Sequence, residues 1–184
     1  GNSATKNSAV GGGVGSPSNS NVEMNAINSI FIGNSPVDVN TNLSAQSSHN
    51  QIGGTLSSVL QTSNGNPVLA NNGGPTQTIA LVGNATNNSA IGTAAALATL
   101  SGTGIATISA TSATVGNSTF LAVGDYLQID NEIVQVLTVG SNSLTFSRGQ
   151  LGTTAATHSA GASLWLATDQ RGDDRNAQAN LATL

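Results

Sequence analysis

The chain has 184 residues and a net charge of −4, and its four basic residues are Lys6, Arg148, Arg171 and Arg175. So few cations cannot neutralise a row of phosphates, which excludes nucleic-acid binding. The absence of cysteine excludes disulfides and thiolate metal sites. No run approaches the roughly 18 apolar residues that a membrane helix needs, so no membrane span is predicted.

The composition predicts an all-β protein. Charged residues make up only 7% of the chain, against about 25% in an ordinary globular domain. Val, Ile, Thr, Asn and Gly are plentiful whereas Glu, Lys and Arg are scarce, a balance typical of β-structure with many tight turns. Hydrophobic residues still reach 38%, which favours a folded chain over a disordered one. Flexibility is predicted only for about the first fifteen and the last ten residues.

Residues 1–97 are predicted to form rungs of a solenoid. Short apolar runs lie at Val22–Ala26, Asn28–Asn34, Val37–Val39 and Ser48–Gly53. Gly or Asn, which tolerate the left-handed backbone angles of corners, lies at or near the end of each run. The runs recur about every 10–25 residues, in line with rungs of about 20 or more residues. The Asn residues at successive corners either stack into side-chain ladders or serve only as turn formers.

Residues 98–166 are predicted to form a separate small antiparallel β-barrel or sandwich. Asp130-Asn131 is a two-residue hairpin signal between two strand-like runs. Closely spaced strands joined by short turns are typical of such compact antiparallel folds. The predicted strands are Gly104–Ile108, Ser118–Val123, Tyr126–Ile129, Glu132–Val139 and Ser143–Arg148.

Two segments carry a resemblance to a known family. Asn71–Leu81 reads NNGGPTQTIAL and Thr168–Gly172 reads TDQRG. Together they resemble the closing segment of bacterial cell-surface proteins built as right-handed parallel β-helices. In that family a GSPAID-like turn lies between the two segments, and Asn88–Gly92 is similar to it. The resemblance implies a right-handed parallel β-helix and an extracellular location. The residues that match its structural motifs are Asn72, Gly73, Gly74, Pro75, Thr76, Asp169, Gln170, Arg171 and Gly172.

A second resemblance covers much of the predicted antiparallel domain. Val123–Ala162 is similar to the pattern GDYIxIDNE, followed by RG, GT and HxxG, of a small all-β module of phage tail, virion and surface proteins. Together the two resemblances imply a short β-helix over residues 1–97 with this module inserted over residues 98–166. Residues 167–184 would then return to the β-helix and form the C-terminal tail. Exposed loops tolerate such insertions where the inserted ends lie close together.

Acidic residues offer one candidate cofactor site, for calcium. Asp169, Asp173 and Asp174 lie close enough in sequence to supply oxygen ligands to one ion. Alternatively, Asp169 pairs with Arg171 or Arg175 and helps the chain to turn. No other cofactor is predicted.

The remaining acidic and histidine residues are interpreted as structural. Asp125, Asp130 and Glu132 lack the spacing of a calcium-binding loop and are interpreted as turn and edge residues of a hairpin. His49 and His158 have no second ligand at a useful spacing, so no metal site is predicted at either. His49 is expected to hydrogen-bond at a corner and His158 to order its loop.

No catalytic site is predicted. Pectate lyase-like enzymes share the parallel β-helix, but they need an acidic calcium cluster and a basic residue. The rungs before residue 98 carry only Glu23, Asp38 and Lys6, which are far apart in sequence. Sugar-binding platforms use aromatic faces, for which one Trp, one Tyr and three Phe leave little material. A polysaccharide lyase-like enzyme therefore ranks last among the alternatives.

The predicted function is that of a non-enzymatic, exported structural protein. The ends of a solenoid are strand edges that pair readily with another chain, and this chain has little charge to block them. Head-to-tail contacts of this kind generate a fibre, so the chain itself is the predicted partner. The alternatives are a fragment of a larger surface adhesin or passenger protein, and a phage tail or fibre component. A glycan or a host surface is a further candidate partner. No signal peptide is visible in this chain, so export is inferred from composition and resemblance.

Overall fold

A computed structural model of the chain describes residues 14–15, 23–34, 37–53, 67–73, 75–82, 88, 91 and 94–168. Within these residues the protein consists of fourteen short β-strands and one 3-10 turn, with no α-helix. The all-β class predicted from composition is therefore confirmed. The chain divides into two compact units, residues 1–95 and residues 96–184.

The first unit is built from strands of two residues each, and six of these strands pair in parallel. β1 pairs with β4, β2 with β5, and β3 with β6. Among the strands that it describes, the structure shows only these two-stranded parallel pairs. The right-handed parallel β-helix expected from the sequence therefore stays a prediction. The strands are β1 (Val14–Gly15), β2 (Glu23–Met24), β3 (Ile30–Phe31), β4 (Val39–Asn40), β5 (Asn42–Leu43), β6 (Gln51–Ile52), β7 (Leu69–Ala70) and β8 (Thr78–Ile79).

The parallel partners in the first unit lie 19 to 25 positions apart in the sequence. Ile27 pairs with Ser48 and Ile30 with Gln51, so both pairs join positions 21 apart in the sequence. We call residues 23–34 the first coil segment and residues 37–53 the second. One segment therefore lies against the next in register, as neighbouring coils of a solenoid do.

Each coil segment turns a corner at a residue with a positive φ angle. Asn28 and His49 both have φ of 53°, in the left-handed region that Asn tolerates better than most residues. Next to the second corner, the side chain of Asn50 accepts a hydrogen bond from Ser29 N–H (3.0 Å) and donates one to the carbonyl of Ala26 (2.8 Å). The side chain of Asn50 thus joins the two segments by bonding to main-chain groups of the first segment, rather than by stacking on another Asn side chain.

The second unit contains one antiparallel sheet of six strands in the order β10-β13-β12-β11-β14-β9. The sheet curls so far that its two outer strands meet, since Leu100 after β9 forms an antiparallel bridge with Val115 after β10. β9 and β14, the first and last strands of the sheet in the chain, are hydrogen-bonded neighbours. The strands are β9 (Ala98–Thr99), β10 (Ser112–Thr114), β11 (Tyr126–Ile129), β12 (Glu132–Gly140), β13 (Ser143–Ser147) and β14 (Ser163–Leu166), and the 3-10 turn is Gln150–Gly152.

The hydrophobic core of the second unit lies inside this curl. Side chains alternate along β11 and β13 between buried and partly exposed positions, as a half-buried strand requires. The predicted hairpin is confirmed, because β11 and β12 pair up to Ile129 and Glu132 across Asp130-Asn131. The buried core cluster consists of Ala98, Leu100, Ile105, Val115, Leu121, Leu127, Ile129, Val134, Val136, Leu144, Phe146 and Leu164.

The strand predicted at Gly104–Ile108 is wrong. Ile105 forms only a single bridge, with His158, and Ile108 is 65% exposed. The backbone passes very close to the opposite loop at Gly104, where an added Cβ would lie 2.2 Å from the carbonyl oxygen of His158. Gly104 also has φ of 67°, so the chain bends here instead of extending.

The strand predicted at Ser118–Val123 is also wrong, because nearby side chains bind the backbone groups that a strand would use. Asn117 Oδ1 accepts a hydrogen bond from Thr119 N–H (2.9 Å), and Asp125 Oδ2 accepts one from Ala122 N–H (2.8 Å). Such local bonds compete with strand pairing and favour turns. The sequence reasoning missed β9 and β10, whose small residues gave no strand signal, and it also missed β14.

Candidate functional site, a buried charge cluster

Four ionisable side chains meet at one end of the second unit. Asp130 lies in the turn between β11 and β12, and Glu132 opens β12. Arg148 follows β13 directly, and His158 lies in the segment that leads to β14. We call these four residues the buried charge cluster, because the side chains of Glu132, Arg148 and His158 are 0%, 9% and 1% exposed, while Asp130 lies at its rim and is 60% exposed.

Glu132 is the centre of this cluster. Its Oε1 accepts hydrogen bonds from Arg148 Nε (2.6 Å) and from Gly149 N–H (3.0 Å). Its Oε2 accepts hydrogen bonds from Arg148 Nη2 (2.6 Å) and Ala156 N–H (2.9 Å), and lies 2.9 Å from His158 Nε2. A carboxylate that is removed from water needs such compensation on both oxygens.

Arg148 uses its whole guanidinium fork inside the protein. Nε and Nη2 form the bidentate pair with Glu132. Nη1 donates to the carbonyl oxygens of Thr107 (3.2 Å) and Ala110 (2.9 Å), and Nη2 also donates to that of Ala156. These bonds account for the five N–H donors of an arginine. Arg148 thus ties β12 to the segments before β10 and after the 3-10 turn.

His158 lies between the two carboxylates of the cluster. Its Nδ1 is 2.8 Å from Asp130 Oδ2 and its Nε2 is 2.9 Å from Glu132 Oε2. Both contacts are hydrogen bonds when both ring nitrogens carry a proton. The main chain of His158 also exchanges hydrogen bonds with that of Ile105 (2.8 and 3.0 Å). His158 therefore holds its loop through both its side chain and its main chain.

The environment of Glu132 stabilises its charged form. Burial raises the pKa of Glu132, because it disfavours a charge. The hydrogen bonds from Arg148, Ala156 and His158 outweigh burial and lower this pKa from 4.5 to about 2. Glu132 therefore carries its full charge at neutral pH and holds Arg148 as an ion pair.

The chemistry of the cluster is that of a clamp. Glu132 and His158 are buried, and the polar atoms of their side chains contact neighbouring groups of the same unit at hydrogen-bonding distance. Among the residues that the structure describes, every buried side-chain nitrogen and oxygen has a partner. The exposed member of the cluster is Asp130, whose side chain is 60% exposed.

The interpretation of Asp130 and Glu132 as ordinary turn and edge residues is wrong for Glu132. Glu132 opens a strand, but the segments after β13 cover it completely. The signal that could have found the cluster is present in the sequence. Asp130, Glu132, Arg148 and His158 all lie within the pattern of the phage-type module, which otherwise contains few ionisable residues.

The NNGGPTQT motif forms the loop of a hairpin in the first unit. β7 and β8 pair antiparallel, with Leu69 opposite Ile79 and Ala70 opposite Thr78. The side chain of Asn72 closes the loop, since its Nδ2 donates to the carbonyl oxygen of Thr78 at 2.8 Å. The solenoid prediction did not anticipate this antiparallel pair. Within the motif, Gly73 has φ of 95°, Pro75 and Thr76 are exposed, and Gly74 lies outside the described residues.

The candidate calcium site lies in a part of the chain that the structure leaves undescribed. Its residues Asp169, Asp173 and Asp174, and the motif residues Gln170, Arg171 and Gly172, all follow residue 168. Within the described ranges, no group of three or more His, Cys, Asp or Glu side chains has an arrangement that could hold a metal ion. The same ranges contain no helix with the length and apolar character of a membrane span.

One edge of the second coil segment has a defined backbone orientation. Gln51 N–H donates to the carbonyl of Ser29 (2.9 Å) and Gly53 N–H donates to that of Phe31 (3.0 Å). Since successive residues of a strand direct their main-chain groups to opposite sides, the N–H and C=O groups of Ile52 point away from the first segment. Ile52 is also 45% exposed, so this edge is a candidate assembly surface.

Comparison with known proteins adds no relative. No family model, no curated protein and no solved structure matches the chain.

Proposed function

We propose that this protein is a non-enzymatic, extracellular structural protein whose subunits assemble head to tail into a filament. The observation that carries the proposal is the parallel pairing of the two coil segments at a spacing of 19 to 21 residues. In the proposal these segments belong to a right-handed parallel β-helix, the fold that the resemblance implies. A coil that adds to another coil of its own chain in this way can add to a coil of a second chain by the same bonds.

The edge at Ile52 supports assembly through the coil ends. Its main-chain N–H and C=O groups point away from the first coil segment, and a strand edge that presents such groups is a template for pairing with another chain. Proteins that avoid this pairing place charges on such edges, yet only 7% of this chain is charged. A repeated contact between different ends of the subunit does not close on itself and generates an open fibre.

The second unit supports a structural role of a different kind. Its first and last strands, β9 and β14, are paired, so the chain enters and leaves the sheet at neighbouring positions. This geometry suits a module inserted into a host loop, because the loop ends need not separate. The buried charge cluster then serves to hold the module rigid.

An enzyme-like role finds no comparable support in the described residues. Asp38, which the lyase alternative would need for calcium, instead accepts hydrogen bonds from the backbone (2.7 Å) and side chain (3.0 Å) of Asn34. Glu23, the other acidic residue of the predicted rungs, is exposed at the start of β2. Asp38 therefore fits a structural position.

Replacing Ile52 with Pro is expected to suppress assembly. Proline removes the N–H group that points away from the first segment, whereas the bonds donated by Gln51 and Gly53 remain available. Light scattering of the purified chain across a concentration series measures the effect. We expect the scattering of Ile52→Pro to stay at the level of single subunits, where the unchanged protein forms large particles.

The matched control is Ile52→Val, which keeps the N–H group and a β-branched side chain. It should assemble like the unchanged protein. Circular dichroism of both variants verifies that they remain folded. Equal assembly of Ile52→Pro and Ile52→Val would show that this edge is not the interface.

A further inference from the structure

The outer face of the second unit brings together the only Trp and the only Tyr of the chain. Trp165 on β14 lies directly opposite Gln128 on β11. Tyr126, two residues before Gln128, lies directly opposite Gln135 on β12. We call Trp165, Gln128, Tyr126 and Gln135 the aromatic–amide strip.

The strip lies on the face of the sheet opposite to the core, where Ile133, the partner of Gln128 on β12, is itself buried. Leu127, Ile129 and Leu164, the neighbours of the strip residues along β11 and β14, are completely buried in the core. Residues next to them in a strand point to the opposite face of the sheet. Trp165 is 40% exposed, a large fraction for a Trp side chain on a folded unit.

The two aromatic residues are near enough to act together. Trp165 and Tyr126 are diagonal neighbours on adjacent strands, a relation that aromatic side chains can span. The amides lie beside them, and Gln128 is held in place because its Nε2 donates to the carbonyl of Asp130 at 2.8 Å. The strip therefore presents ring faces next to hydrogen-bonding amides on a sheet, which is a rigid support.

None of the four strip residues carries a formal charge. The carboxylates that flank them in sequence are engaged elsewhere, since Asp125 accepts from Ala122 N–H and Asp130 contacts His158. An uncharged surface matches an uncharged ligand. It offers no complement to an acidic polymer and no Arg of the kind that anchors protein interfaces.

We propose that the aromatic–amide strip binds a neutral polysaccharide. The apolar face of a pyranose ring packs against the indole of Trp165, and the hydroxyl groups at its rim exchange hydrogen bonds with the amides of Gln128 and Gln135. From the sequence alone, one Trp, one Tyr and three Phe are too few aromatic residues to predict a sugar-binding platform. The register of β11, β12 and β14 nevertheless places Trp165 and Tyr126 next to each other on one face of the sheet.

Native electrophoresis in gels that contain a polysaccharide tests this site. The net charge of −4 carries the protein through the gel, and binding slows it. The probes are hydroxyethyl cellulose, galactomannan, arabinoxylan and soluble starch, with polygalacturonate as the acidic comparison. The protein is loaded at a concentration lower than that at which light scattering first detects assembly. We expect at least one neutral polymer to slow the protein, and its effect to persist at high salt.

Trp165→Ala should lower the association constant for that polymer by roughly tenfold. Leu137→Ala is the matched control, because Leu137 is another exposed apolar residue of the same sheet (50% exposed) outside the strip. It should bind like the unchanged protein. Gln135→Ala provides a second strip variant should Trp165→Ala melt before the assay temperature. Trp165 fluorescence, which reports on this site alone, should change on binding.

Three results would overturn the proposal. The first is an unchanged mobility in every neutral gel, and the second is a slowing by polygalacturonate alone. The third is a strip variant that binds the neutral polymer as well as Leu137→Ala does. A strip that contacts another protein instead would give the first result, together with altered assembly of Trp165→Ala.

Discussion

Replacing Glu132 with Gln is expected to destabilise the second unit by about 3–5 kcal/mol. The substitution preserves the size of the side chain but removes the charge that compensates Arg148, whose side chain is only 9% exposed. It also exchanges two acceptor oxygens for one acceptor and one donor, which then faces the donors Ala156 N–H and His158 Nε2. Breaking one partner of a buried ion pair costs far more than the pair itself contributes.

Urea unfolding followed by Trp165 fluorescence measures this loss, since Trp165 is the only Trp and lies in β14 of the same unit. Asp130→Asn is the matched control. Asp130 contacts the same His158, but its side chain is 60% exposed, so we expect a cost below about 1 kcal/mol. A free energy of unfolding for Glu132→Gln within 1 kcal/mol of the unchanged protein would refute the role of the cluster as a clamp.

The second large effect is a loss of stability in acid. The pKa of Glu132 is lowered from 4.5 to about 2 in the folded protein, so the unfolded chain binds a proton at this position more readily. The stabilisation from Glu132 is therefore complete above pH 4.5 and disappears as the pH falls from 4.5 towards 2. The size of the shift corresponds to about 3 kcal/mol across this window.

Urea unfolding at a series of pH values between 2 and 7 tests this dependence. We expect the free energy of unfolding of the second unit to decline most steeply below pH 4.5. Glu132→Gln removes the titrating group, so its stability should change much less over the same range. Parallel pH profiles for the two proteins would contradict the assignment to Glu132.

The parts of the fold that follow from local chemistry could be predicted from the sequence. Asp130-Asn131 marks a hairpin by itself, because Asn and Asp tolerate the left-handed angles of a two-residue turn. Asp130 indeed has φ of 50°, and β11 and β12 meet across it. The apolar runs of residues 1–97 recur about every 10–25 residues, a range that includes the 21 positions between Ile27 and Ser48.

The buried charge cluster could not be predicted from local patterns. Glu132 is buried because Arg148 and His158, 16 and 26 residues further along the chain, cover it and contact its carboxylate. A charged residue beside a turn is normally exposed, so the local pattern predicted that Glu132 is exposed to solvent. The aromatic–amide strip was hidden for the same reason, because it depends on the register between β11, β12 and β14.

Strand assignment failed where side chains compete with the backbone ladder. Residues 118–123 carry a strand-like composition, but Asn117 and Asp125 bind the N–H groups of Thr119 and Ala122. β7 and β8 show the opposite case, in which a Gly- and Pro-containing loop closes an antiparallel hairpin inside a region predicted as solenoid. In both cases short-range hydrogen bonds overrode the apolar pattern.

The measurement that tests the central claim most directly is electron microscopy of the purified chain over a concentration series. Stacking of parallel coils predicts long, uniform fibres whose diameter is constant and whose axial repeat corresponds to one subunit. The paired strands within each fibre should give a spacing of about 4.8 Å along the axis. Discrete particles of one size at all concentrations would contradict self-assembly and favour a segment of a larger surface protein.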